Sequence, residues 1–195
     1  MLTKRYMAGF TLIELAVGLA IVSILLVLGM PTLNAVLDSS RLKSAASGFS
    51  SGIQLARAQA ISRNQQVNFI PALSGADLTA GWAIWNTAGV QAIESKSVQE
   101  SSGQMVLVAA LDSTRAAVNV ESITFNGLGG AVFRDSAGAA VAVNPVVFAF
   151  SSRSGACYLA NGTGGSIRCL DVRVTSAGQI RLCDPQVAAG DSRQC

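Results

Sequence analysis

The sequence predicts an α+β fold: a long N-terminal α-helix packed against an antiparallel β-sheet head. Three observations lead there. Residues 10–30 form an apolar run broken by a single carboxylate, Glu14. Residues 33–61 then carry apolar side chains at spacings of three and four, the period of one helix face. Beyond Asn64 the period changes to alternation, the mark of half-buried strands. The chain has 195 residues, half of them hydrophobic and 13% charged. That composition suits about one compact domain besides an apolar anchor.

The first nine residues read as a leader, made basic by Lys4 and Arg5 and ended by Gly9. Residues 10–30 then make about 31 Å of helix at 1.5 Å per residue, enough for the ~30 Å hydrocarbon core of a bilayer. The positive-inside rule keeps Lys4 and Arg5 in the cytoplasm. Glu14 is the anomaly. A carboxylate at such depth costs roughly 2.5–3.5 kcal/mol, and no nearby side chain is basic. A cut after Gly9 resolves the conflict, because the new amino group of Phe10, in this or a neighbouring subunit, supplies the cation. An ordinary secretory signal would close its apolar run with a small-x-small site, and Gly29-Met30-Pro31 is a poor one. A plain signal anchor accounts for the length of the run but leaves Glu14 unexplained.

Pro31 is expected to bend the helix without ending it, because the helical pattern resumes at once. Leu33, Val36, Leu37, Leu42, Ala45, Ala46, Phe49, Ile53, Ala56, Ala60 and Ile61 form the core-facing stripe. Asp38, Arg41, Lys43, Gln54 and Arg63 occupy the opposite face, and Gly48 and Gly52 are expected as soft points of a helix that runs to about Asn64. Strands are expected over residues 66–70, 81–85, 105–110, 122–125, 145–150, 166–175 and 179–183, where β-branched and aromatic residues concentrate between turn-forming clusters. Trp82 and Trp85 belong to the core or its rim, and residues 90–103 read as a surface loop. Within 170–174, Leu170, Val172 and Val174 are expected to face the core, with Asp171 and Arg173 facing solvent.

Several chemistries are excluded by composition. The chain has no histidine, which removes imidazole general bases, His-dependent nucleophiles and His-containing zinc sites. The glycine clusters at 127–130 and 162–165 lack a following Lys-Ser/Thr and read as turns, not phosphate loops. No cofactor, metal or catalytic residue is implied, and the chain does not read as an enzyme. The 14 basic and 11 acidic residues come close to balance once Lys4 and Arg5 leave with the leader, so any nucleic-acid contact must rest on local clustering. The four cysteines, Cys157, Cys169, Cys183 and Cys195, are separated by eleven, thirteen and eleven residues. No C-x-x-C pair suggests zinc or redox chemistry, so they point to disulfides in an oxidising compartment. The simplest pairing is sequential, Cys157 with Cys169 and Cys183 with Cys195; two other pairings stay open.

The segment Gly9-Phe10-Thr11-Leu12-Ile13-Glu14-Leu15 resembles the processing site of type IV pilins and type II secretion pseudopilins. The resemblance implies a prepilin peptidase that cuts after Gly9 and methylates Phe10, with Glu14 neutralising the amine of an adjacent subunit during assembly. Pro31 matches the family's helix-kinking proline. Residues 55–64, Gly81-Trp82, residues 123–129 and residues 178–185 are similar to the GspH/FimT/FimU branch. The implied organisation is a leader at 1–9, a transmembrane and filament-core helix at 10–30, an amphipathic helix at 31–64 and a β-rich, disulfide-bonded head at 65–195. The implied function is that of a minor pilin at the tip of a type IV pilus or priming its assembly, with a GspH-type pseudopilin of type II secretion as the alternative. Implied partners are prepilin peptidase, other minor and major pilins, and inner-membrane lipid. The implied location is the inner membrane with the head in the periplasm, then an extracellular pilus or periplasmic pseudopilus. A further alternative is a DNA-binding minor pilin for natural transformation. DNA-binding relatives carry a Gly-Arg-x-Arg loop, and the aligned residues here are Gly178-Gln179-Ile180-Arg181, so the first arginine is missing. Arg168, Arg173 and Arg193 are the cations that would accompany Arg181.

Overall fold

The computed structural model describes residues 10–71, 80–86, 92–97, 106–152, 155–158, 164–188 and 190–195. Helix α1 runs over Leu12–Arg63 and continues through Pro31. The chain divides into two compact units, Met1–Val36 and Leu37–Cys195.

In the first unit the described large apolar side chains, among them Ile13, Leu19 and Leu25, are all exposed. Among the described residues no helix is long and apolar enough to cross a membrane; the side chains of residues 27–33 lie outside the described set.

Among the described residues the second unit is built on the rest of α1 and nine strands: β1 Val67–Pro71, β2 Ala80–Asn86, β3 Ala92–Ser97, β4 Val106–Leu111, β5 Ser122–Phe125, β6 Ala131–Arg134, β7 Val146–Ser152, β8 Leu170–Val174 and β9 Ile180–Cys183. They form two antiparallel sheets, ordered β3-β2-β1-β5-β6 and β4-β7-β8-β9. The helix stripe supplies one wall of the core: Leu42, Ala45, Ala46, Phe49, Ile53, Ala56 and Ala60 are buried. Phe49 joins the two sheets to the helix. Its ring lies 5.1 Å from Phe69 of β1, and 5.1 and 5.2 Å from Phe148 and Phe150 of β7, within the range of favourable aromatic pairs.

The two sheets also meet at a polar corner. Arg57 of α1 donates from Nε to the Gly129 carbonyl (3.1 Å), Ala131 N donates to Ser176 O (2.8 Å), and Ser176 N donates to the Asn144 side chain (3.0 Å). Gly178 has φ +76°, and a Cβ there would overlap the Gly129 carbonyl oxygen. Only glycine allows both the left-handed turn and this approach.

The structure departs from the sequence expectations at several points. Val36, Leu37 and Ile61, expected in the core stripe, are exposed, so the buried face is narrower than the apolar pattern. Gly52 is not a soft point: a Cβ there would lie 2.8–3.0 Å from the Trp82 ring, so the helix uses glycine to admit the indole. Trp82 is buried and stacks on Phe69. The expected loop at 90–103 contains β3, whose alternation is weak because edge strands carry polar residues such as Glu94 and Lys96; the rest of that loop falls outside the described residues. β6 is an unexpected strand, only four residues long. β8 begins at Leu170, and Ile167 before it makes only an isolated bridge to Cys157. Asp171, expected in solvent, is 1% exposed, because the C-terminal segment covers its face of the sheet: Arg173 Nη1 donates to Cys195 O at 2.7 Å.

Candidate functional site

Two regions carry the residues singled out by sequence. The first is the start of α1. Gly9 lies outside the described residues, and so does the rest of the leader. Phe10 is 91% exposed. Thr11 precedes the first helical residue, and Glu14 sits three positions on, the spacing of a capping box. The bonds are those of that motif: Thr11 N and Thr11 Oγ1 both donate to Glu14 Oε2 at 2.9 Å, and Glu14 N donates to Thr11 Oγ1 at 3.3 Å. The sequence reading left Glu14 without a local partner; Thr11 provides one. Both donors are neutral, and among the described residues no cation pairs with the carboxylate. Pro31 lies inside the helix.

The second region is the C-terminal quarter of the head. Cys157 is bonded to Cys169 and Cys183 to Cys195, with Cα–Cα distances of 5.5 and 5.1 Å. The second bridge ties the C-terminal segment to the end of β9. Arg173 and Arg181 are register partners on β8 and β9, and Asp184 bonds both the Arg193 carbonyl and the Arg168 side chain, so all four candidate cations gather at this edge. Each of the four is engaged internally. Arg168 Nε donates to Asp184 Oδ2 (2.6 Å), Arg193 makes two bonds to the Asp191 carboxylate (2.7 and 3.0 Å), and Arg181 Nη2 donates to Ser192 O (2.9 Å). Arg173 donates to Cys195 O.

A fifth arginine, Arg115, reaches Asp171 Oδ2 at 2.6 Å; fifty-six residues separate the two, and nothing in the sequence pattern links them. Burial raises the Asp171 carboxyl above its ordinary value, with the Arg115 hydrogen bond and charge opposing. Asp191 is held down to about 2, first by its side-chain hydrogen bond from Arg193 and then by the Arg193 backbone N–H. Among the described residues no group of His, Cys, Asp or Glu could hold a metal ion.

The geometry is that of a scaffold with a capped apolar helix and a stapled head. Residues 45–194 match the family described as type II transport protein GspH, well over half of the chain. The chain belongs to the GspH family. Its residues 4–30 also match the prokaryotic N-terminal methylation motif, which implies peptidase processing and pilin partners for this GspH-family chain. In fold it is similar to the crystal structure of the type IV minor pilin FimU of Pseudomonas aeruginosa, with a TM-score of 0.50, 18% identity, and coverage of 77% of this chain and 94% of that one. A second crystal form of FimU gives a TM-score of 0.47 at 18% identity, over 76% of this chain and 97% of that one. The comparison with curated proteins gave no match. Family and fold are those of structural pilin and pseudopilin subunits, not of enzymes.

Proposed function

We propose that this GspH-family protein is a minor pilin of a type IV pilus, acting at the tip or in priming assembly. The observation that carries the reading is the start of α1, where a carboxylate with no cation among the described residues stands within a run of exposed apolar side chains. Burying a large apolar side chain is worth about 1.5–3 kcal/mol, and Phe10, Leu12, Ile13 and Leu15 alone outweigh the roughly 2.5–3.5 kcal/mol cost of one charge. The helix therefore favours cover by lipid or by other helices. A cut after Gly9 leaves Phe10 as the N-terminus, and its amine, in an adjacent subunit, is the cation for Glu14. In this reading residues 1–9 are the leader, 10–30 span the inner membrane before assembly, 31–64 continue the helix, and the head from 65 onward lies in the periplasm.

The test separates capping from assembly. Glu14→Ala removes both roles, whereas Thr11→Ala removes the side-chain bonds of the cap and leaves the carboxylate. Thr11→Ala protein is expected in sheared filaments at near wild-type levels, and Glu14→Ala protein is expected to be processed but depleted from them. Equal incorporation of Glu14→Ala and wild type would overturn the pairing. Gly9→Val is expected to block maturation, read by mass spectrometry as protein that keeps its leader.

A second reading, a type II secretion pseudopilin, is favoured by the family description itself. Deletion separates the two: loss of surface pili with secretion intact supports the first, and the reverse supports the second. DNA capture has less support. The position before Ile180 is Gln179, and Arg168 and Arg193 are paired with carboxylates, which removes much of the charge that phosphate binding needs.

A further inference from the structure

Residues 184–195 pass as a strap over the face of β8 and β9 that carries Asp171, Arg173 and Arg181. The start of the strap is packed: Asp184 and Gln186 are buried, and Asp184 accepts from Arg168 Nε and from Gln186 N. From Val187 on, every described residue is exposed or half-buried, so among the described residues no buried side chain anchors this stretch. Its hydrogen bonds to the rest of the head run from Asp184 N to Arg193 O, from Arg181 Nη2 to Ser192 O and from Arg173 Nη1 to Cys195 O. The bonds of Arg193 to Asp191 and of Gly190 to Gln194 stay inside the stretch. The other tie is covalent, the Cys183–Cys195 bridge.

The cover carries a cost. Cys195 Sγ stands 3.8 Å from Asp171 Oδ2, and Asp171 is left 1% exposed. Desolvation raises that carboxyl against the opposing hydrogen bond and charge of Arg115, so covering the charged group works against the closed strap. Exposed hydrogen bonds contribute little net, because water replaces them, while ordering residues 187–195 loses conformational entropy. The bridge therefore decides whether the strap lies down.

The Cys157–Cys169 bridge is held differently. Ile167 and Cys169 are buried in the core, and Tyr158 N donates to Ile167 O (2.7 Å) and Gly165 N to Cys157 O (3.0 Å). Its two sulfurs stay together when the bond is cut, which favours re-closure, whereas those of Cys183 and Cys195 part. Access does not separate the two bridges, since Cys157, Cys169 and Cys195 line one cavity of about 500 Å³.

We propose that the Cys183–Cys195 bridge is a redox latch: reduction by a dithiol releases residues 187–195 and uncovers Asp171 and Arg173, while both sheets stay folded. A thiolate of the dithiol enters by the cavity and attacks the Cys195 sulfur. A mixed disulfide forms, and Cys183 leaves as a thiolate that takes up a proton. The second thiol of the reductant, deprotonated, then displaces Cys195. The dithiol departs as its intramolecular disulfide, and both cysteines end as thiols. The latch is independent of whether the subunit serves a pilus or a secretion system.

The test uses full-length mature protein in detergent micelles, equilibrated with graded ratios of reduced to oxidised dithiothreitol. Differential alkylation read by mass spectrometry is expected to show Cys183 and Cys195 reduced at a ratio at least ~tenfold lower than Cys157 and Cys169. Once only that bridge is open, amide hydrogen exchange over residues 187–195 is expected to speed up at least ~tenfold, with β7 and β8 still protected. Reoxidation is expected to restore slow exchange. Cys183→Ser with Cys195→Ser is expected to reproduce the open state without reductant and to bring the Asp171 carboxyl closer to its ordinary value. A strap that stays protected in the reduced protein or in the double variant overturns the proposal. So does loss of protection in β7 and β8, or a double variant that fails to fold, either of which makes the bridge a staple of the whole head. Reduction of both bridges together, or of Cys157–Cys169 first, overturns it as well.

Discussion

Asp171 illustrates how much a single residue depends on what covers it. Its raised carboxyl means that, at neutral pH, burying the charge costs more than Arg115 returns. The sign follows from linkage: the native state holds this proton more tightly than the unfolded chain, so the stabilisation is complete below the ordinary carboxylate value and is lost as pH rises through the raised one. Asp171→Asn is therefore expected to gain stability relative to wild type between about pH 3 and pH 7, measured by thermal melts across that range. A relative loss on going to neutral pH would show that the Arg115 pair dominates. Asp191 runs the other way. Its carboxyl, held down to about 2 by Arg193, contributes stability that is present above the ordinary value and lost on acidification. The arginines follow the same lesson, since their sequence positions are those of a charged patch and their side chains are tied to the head's own acceptors.

At the scale of the element, α1 is decided by its neighbours as much as by its own propensities. Alanine is favoured over glycine within a helix by about 1 kcal/mol. Gly52→Ala is nonetheless expected to destabilise the protein, by up to about 2 kcal/mol net, because overpacking against a rigid ring costs typically 1–3 kcal/mol and the new Cβ would stand 2.8–3.0 Å from Trp82. Circular dichroism melts with tryptophan emission test this; a stabilised variant would mean that the indole shifts freely. The strands divide in the same way. β1, β2, β4, β5, β7, β8 and β9 were legible, β8 with too early a start, because most are rich in β-branched and aromatic residues. β3 and β6 were not: Glu94, Ser95 and Lys96 break any apolar alternation in β3, and β6 has only four residues. For β6 a usable signal existed: the Asn126 side chain accepts from Leu128 N and Gly130 N, and Asn-Gly before a short alternating run marks a hairpin.

Over the whole molecule, stability rests on α1 packed against two sheets and on two bridges in the last forty residues. The Cys157–Cys169 bridge closes a loop of sequence separation 12, for which the chain-entropy argument gives about 3 kcal/mol. Cys157→Ser with Cys169→Ser is expected to lower unfolding free energy by about 2–3 kcal/mol, measured by denaturant titration under oxidising conditions. An unchanged midpoint would mean that the loop is already ordered in the unfolded chain. The Cys183–Cys195 bridge has a further consequence, because it holds the segment that buries Asp171 and roofs the cavity.

By itself the sequence determined the α+β class, the extent of the helix, the change of period after Asn64 and the processing motif at Gly9 and Phe10. All are local patterns, and local patterns survive without knowledge of the fold. It also offered sequential cysteine pairing as the simplest choice among three, and the structure has that pairing. Only the tertiary structure decided that Asp171 is buried, that Arg115 reaches it, that the arginines are internally bonded, and that Gly52 exists for Trp82. Each of these depends on residues far apart in the chain meeting across a sheet face, and no periodicity carries that information.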